Sequence, residues 1–174
     1  MDENLKFLLT TVNEWLRFLE AKHTALIALN GAAIIGLVQS LSSIGNPSLL
    51  LLIPYWLIPG LVLAVLTSLF AMTKWASLVT PWHRGQRLLV PNALYFGYIS
   101  ALSVTSLQAE LARVTGLSLP MTESQALLTQ QSHTNACIAY AKQRLFHWAI
   151  TCTFSILLGC FTAFWLIRWA KAIC

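Results

Sequence analysis

Two uninterrupted runs without charge constrain this chain more than any other feature. No Asp, Glu, Lys or Arg occurs between Lys22 and Lys74, a run of 51 residues, or between Arg144 and Arg168, a run of 23. A bilayer-spanning helix needs about 20 predominantly apolar residues. The first run therefore fits two spans and a turn, near 24–44 and 50–73, and the second fits one, near 146–167. Composition agrees: 57% of the 174 residues are hydrophobic and 10% are charged. A soluble domain of this size exposes too much of its surface to hide that much apolar area. Disorder, a secreted disulfide scaffold and most soluble enzymes are excluded on this ground. Asp2-Glu3 and the late apolar run also argue against a signal peptide.

The residues between the runs read as helices. Leu5, Leu8, Leu9, Val12, Trp15, Leu16 and Leu19 recur at three- and four-residue spacing, with Glu14, Arg17 and Lys22 interleaved. No Gly or Pro separates this amphipathic stretch, 1–23, from the first span, so one helix of about 40 residues is expected, roughly 60 Å long. Gly45-Asn46-Pro47-Ser48 is a turn, and Pro54 and Pro59-Gly60 predict a kink early in the second span. Residues 74–91 form a connector. Asn92 caps a helix expected to reach Arg113, closed by Gly116. Thr122-Glu123-Ser124-Gln125 reads as a capping box opening a last helix that continues through the third span, 146–174 with its tail.

The fold class is thus an all-α integral membrane protein with three transmembrane helices. Its long helices extend into a cytoplasmic helical region, 74–145 together with 1–23. A fourth span over 88–109 is the alternative, weakened by Asn92, Ser100, Ser103, Thr105, Ser106 and Gln108. Lys and Arg number three in the N-terminal segment, none in the 45–48 turn and six in 74–144. This places the N-terminus and the middle segment in the cytoplasm. The net charge of +5 follows from that topology, and nucleic acid is not the expected partner.

No HExxH, GxSxG or P-loop spacing is present, and Cys137, Cys152, Cys160 and Cys174 form no metal pattern. Neither an enzyme nor a metal or cofactor protein is expected. Small residues line the spans: Ala28, Ala32 and Gly36 in the first, Gly60 and Ala64 in the second, Ser155, Gly159 and Ala163 in the third. Such faces allow close helix contact in lipid. They serve either homo-oligomer assembly or packing within one chain. Asn30 and Gln39 sit inside the first span, where polar groups line an interface or pore or bond a neighbouring helix.

The middle segment joins cations to aromatic rings: Arg84, Arg87, Tyr95, Phe96, Tyr140, Lys142 and Arg144. Nucleotide recognition uses such types, rings for the base and cations for the phosphate. Gln131 and Asn135, one turn apart in a polar stretch, have the chemistry to read a base edge. An aromatic core with a positive collar and a solvated helix face are the plainer readings.

The order of pieces resembles the transmembrane effectors of bacterial Pycsar antiphage systems. They are a charged amphipathic start leading through Lys22 into Ala28-Leu29-Asn30-Gly31, a double span, Pro91-Asn92-Ala93-Leu94-Tyr95-Phe96-Gly97, and Ile138-Ala139-Tyr140-Ala141-Lys142 entering a last span. Lys22, Asn30, Gly31, Tyr95, Phe96, Gly97 and Lys142 are the matching positions. The resemblance implies an effector of the bacterial inner membrane. It would bind cyclic CMP or cyclic UMP, with cyclic CMP favoured, made by a partner pyrimidine cyclase. The lipid bilayer would then lose integrity in abortive infection. A structural membrane subunit and a holin-like pore without a nucleotide ligand are the competing readings.

Overall fold

The computed structural model describes residues 2–42, 52–73, 94–116 and 118–173. Every regular element among them is an α-helix: α1 (Asp2–Ser42), α2 (Leu52–Met72), α3 (Phe96–Ile99), α4 (Val104–Thr115) and α5 (Glu123–Ile173). Helix α1 has 41 residues and runs unbroken from the charged start into the apolar run. Helix α5 has 51, close to 77 Å at the usual rise. Helix α2 continues through Pro59.

Local chemistry sets the helix ends. Gly116 closes α4 in the left-handed region at φ 69°, which glycine adopts without penalty. At the start of α5, the Thr122 backbone N–H donates to Gln125 Oε1 at 3.1 Å and the Gln125 N–H donates to Thr122 Oγ1 at 3.4 Å. These are the two reciprocal bonds of a capping box. The single helix expected from Asn92 to Arg113 does not form. Asn92 lies outside the described residues, and the rest divides into α3 and α4. The Ser100 hydroxyl donates to Gly97 O, and Ser103 takes an extended conformation and accepts from the Ser106 N–H. Hydroxyl side chains that bond nearby backbone stop one helix and cap the next. The break leaves no continuous helix of span length over 94–109.

The chain divides into two compact units. Unit 1 holds Met1–Ala21 and Ala71–Arg144. Its core is apolar: Leu5, Leu8, Val12 and Leu19 of α1 meet Phe96, Ile99, Leu107, Leu111, Ala136 and Ala139. Unit 2 holds Lys22–Phe70 and Leu145–Cys174, and its burial pattern is reversed. Its buried side chains are small or polar (His23, Asn30, Ala64, Ser68, Ala149, Thr153), with Leu26 and Leu61. Its large apolar side chains face outward, among them Leu63, Leu66, Phe154, Leu158, Phe161 and Trp169, each more than half exposed. Water penalises such a surface, whereas hydrocarbon accepts it.

Among the described residues, Glu3–Gln39 is the one helical stretch long and apolar enough to cross a membrane, and Leu57–Met72 is a shorter apolar helix.

The small residues divide between two roles. Ala64 is buried, and a Cβ on Gly60 would overlap the Ile156 side chain, so this α2 line packs within the chain. Ala28, Ala32, Gly36 and Ser155 are exposed, and a Cβ on Gly36 or Gly159 would meet open space. The Ala163 side chain lies outside the described residues. Gly60→Leu is therefore expected to cost about 1–3 kcal/mol through overpacking, and Gly36→Leu to leave stability unchanged. Melting of the two variants in detergent, followed by circular dichroism, checks the contrast.

Candidate functional site

Helices α1 and α5 pair through side chains 122 positions apart in unit 1 and 123 apart in unit 2. In unit 1, the Asn135 amide donates to Asn13 Oδ1 at 2.8 Å, across 122 positions. Two turns further on, Lys142 Nζ donates to Glu20 Oε1 at 2.5 Å, again across 122. In unit 2, the His23 ring meets the Phe146 ring edge-on at 5.5 Å, and Lys22 Nζ lies 5.6 Å from the centre of the same ring. The Thr153 hydroxyl donates to Asn30 Oδ1 at 3.0 Å, across 123 positions. Both partners advance together in each unit, so the helices run parallel there.

The Glu20–Lys142 pair is the strongest electrostatic feature of this line. The Lys142 side chain is only 6% exposed, while that of Glu20 is 46% exposed. An ammonium removed from water needs a close counter-charge. Glu20 supplies it at the last turn of α1 in unit 1, and Lys142 sits near the corresponding end of α5.

An aromatic cluster stands beside this pairing in unit 1. Tyr95 and Phe96 stack at 4.8 Å between ring centres, and Phe96 meets Trp15 of α1 at 5.5 Å. Gly97 is buried, and a Cβ there would run into the Tyr95 ring, so glycine is required for this contact. Phe96 is 2% exposed and belongs to the core. Tyr95, half-buried at the start of α3, is the member of the pair with surface to offer. An open depression of about 450 Å³ lies against Thr11, Glu14, Trp15 and Phe18.

Among the residues singled out in the sequence, the structure sets Phe96 against Trp15, with Tyr95 stacked on it, Asn135 against Asn13 and Lys142 against Glu20. Local pattern did not reveal three of these partners: Asn13, Trp15 and Glu20. Gln131 is exposed, and Arg144 and Lys22 are half-buried. Arg84 and Arg87 lie outside the described residues. Gly31 is half-buried with open space around its Cβ position, Gln39 is exposed and Asn30 is fully buried. One local signal did exist. Asn13 and Glu20 are seven apart, as are Asn135 and Lys142, a repeat that keeps both pairs on one helix face.

Nearby titratable groups serve packing. His133 Nε2 lies 2.8 Å from Leu102 O, tying α5 to the segment before α4. Cys137 Sγ is 3.9 Å from the His133 ring, and burial pushes its thiol above the usual range, away from the thiolate that nucleophilic chemistry needs. The Arg113 guanidinium bonds Glu110 twice on the surface of α4 and holds its carboxyl below the usual range. Among the described residues, no three His, Cys, Asp or Glu side chains gather to hold a metal ion.

Replacing Glu20 by Gln removes a counter-charge from the buried ammonium, with an expected loss of about 1 kcal/mol given the partial exposure of the carboxylate. The exchange Glu20→Lys with Lys142→Glu should recover part of the loss that either change alone produces. A double-mutant cycle of detergent melting temperatures measures the coupling.

No curated protein and no solved structure matches the chain. The family described as the Pycsar effector protein domain matches residues 4–169, which takes in α1 to α4 and most of α5. With both units inside that match, the chain belongs to the Pycsar effector protein domain family.

Proposed function

We propose that the protein is a non-enzymatic antiphage effector of the bacterial inner membrane, switched on by a cyclic pyrimidine mononucleotide from a partner cyclase. Family membership supports the defence role. The observation that carries the membrane part is the reversed burial of unit 2, with Asn30, Ser68 and Thr153 inside and Phe154, Leu158 and Trp169 outside. Three spans account for the helix directions. Parallel α1 and α5 enter the bilayer from the same side, so the chain returns once between them, through α2. The excess of Lys and Arg in 1–22 and 74–144 supports a cytoplasmic position for that side.

Unit 1 is then the sensor and unit 2 the membrane element. Tyr95 and Trp15 offer ring faces, Asn135 and Asn13 offer donors and acceptors for a base edge, and Lys142 is a cation for the phosphate. Arg84, Arg87, Gln131 and Arg144 are further candidates for that ligand. An arriving phosphate would compete with Glu20 for Lys142. Helices α1 and α5 contribute residues to both units, so a change in their pairing in unit 1 has a path along the chain to unit 2. The ligand drives the change only by the difference in its affinity for the intact and leaky states. Cyclic CMP is favoured over cyclic UMP. The exposed line Ala28, Ala32 and Gly36 suits contact with further copies, giving a homo-oligomer.

The test is growth of a bacterial host that expresses the protein alone, with an active pyrimidine cyclase, or with an inactive one. Killing is expected only with the active cyclase. Killing by the protein alone indicates a constitutive pore, and survival in all three indicates a scaffold. Gly36→Leu and Gly159→Leu are expected to weaken killing while nucleotide binding stays near normal.

A further inference from the structure

We infer that the interior of unit 2 around Asn30 and Ser68 is the part of the membrane element that water and ions enter when the bundle opens. This rests on the nucleotide-gated membrane reading above and names the residues that would become wet. Both side chains have no solvent exposure. Asn30 Oδ1 has the Thr153 hydroxyl as a partner, but Asn30 Nδ2 and Ser68 Oγ have no hydrogen-bond partner. Thr153 does not depend on Asn30, because its hydroxyl also bonds Ala149 O at 2.9 Å. Turning the Asn30 amide over would only exchange which of its two atoms faces Thr153.

Unpaired polar atoms raise the free energy of the closed bundle. Lipid cannot relieve them, having no groups to pair. A second copy docked outside cannot reach atoms that have no exposure. Water entering between the helices can, and apolar walls elsewhere in the bundle gain nothing from it. Small side chains are buried in the same unit, Ala64 one turn from Ser68 on α2 and Ala149 one turn from Thr153 on α5, beside the larger Leu26 and Leu61 elsewhere in its interior. Small walls leave the least apolar surface to be wetted on opening. The two orphaned groups therefore bias the bundle toward a hydrated state, held in check by packing.

The test uses the full chain with Cys137, Cys152, Cys160 and Cys174 replaced by Ser and a single Ser68→Cys. It is reconstituted in phosphatidylethanolamine–phosphatidylglycerol vesicles that hold a trapped dye. A membrane-impermeant methanethiosulfonate is added with or without cyclic CMP or cyclic UMP. Labelling of position 68 is expected to rise about tenfold with the nucleotide that releases dye, while Leu66→Cys, on the outward face, stays unlabelled. Asn30→Leu, which removes the orphaned amide, is expected to reduce nucleotide-triggered release roughly tenfold with binding unchanged. Dye release with position 68 unlabelled, or with Asn30→Leu fully active, overturns the inference and leaves the gating reading standing. Absence of dye release from the unsubstituted protein with either nucleotide overturns both.

Discussion

The parallel pairing of α1 with α5 is the constraint on which the rest depends. Two helices that begin far apart in sequence meet through residues 122 or 123 positions apart, Asn13–Asn135 and Glu20–Lys142 in one unit and Asn30–Thr153 in the other. An apolar seam alone tolerates slippage, because one leucine replaces another at similar cost. Directional bonds do not, and a buried ammonium tolerates slippage least. The polar contacts therefore fix which residues of the two helices face each other. Both helices contribute residues to each unit.

The two units differ in what they bury and what they expose. In unit 1, α1 turns leucines and a valine inward against α3, α4 and α5, the pattern that water favours. In unit 2, the same helices turn small and polar groups inward and large apolar groups outward. The reversal falls where the charged residues stop, after Lys22 on α1 and Arg144 on α5. The outward apolar surface of unit 2 suits lipid, which supplies no hydrophobic force to bring leucine faces together.

Much of this was legible in the sequence because it is local. The unbroken helix through residue 42, the left-handed Gly116 and the Thr122–Gln125 capping box each follow from spacing within a few residues. The break between α3 and α4 is not legible in hydrophobic spacing, because it depends on the Ser100 and Ser103 hydroxyls bonding nearby backbone. The site was half legible. Lys142 and Asn135 stood out by type, but Glu20 and Asn13 become meaningful only when two distant helices are aligned. Phe96 was expected to offer a stacking face, yet its ring is buried in the core beside Trp15.

The central claim is that unit 1 reads a cyclic pyrimidine nucleotide and that Lys142 is part of the reader. Calorimetric titration of the detergent-purified protein with cyclic CMP, cyclic UMP, cyclic AMP and cyclic GMP tests it most directly, with Lys142→Met measured alongside. The account predicts tight binding of one pyrimidine nucleotide, no heat from the purines, and loss of binding in a Lys142→Met variant that retains its helical circular dichroism. A folded protein that binds none of the four, or that binds equally well without the lysine, would contradict it.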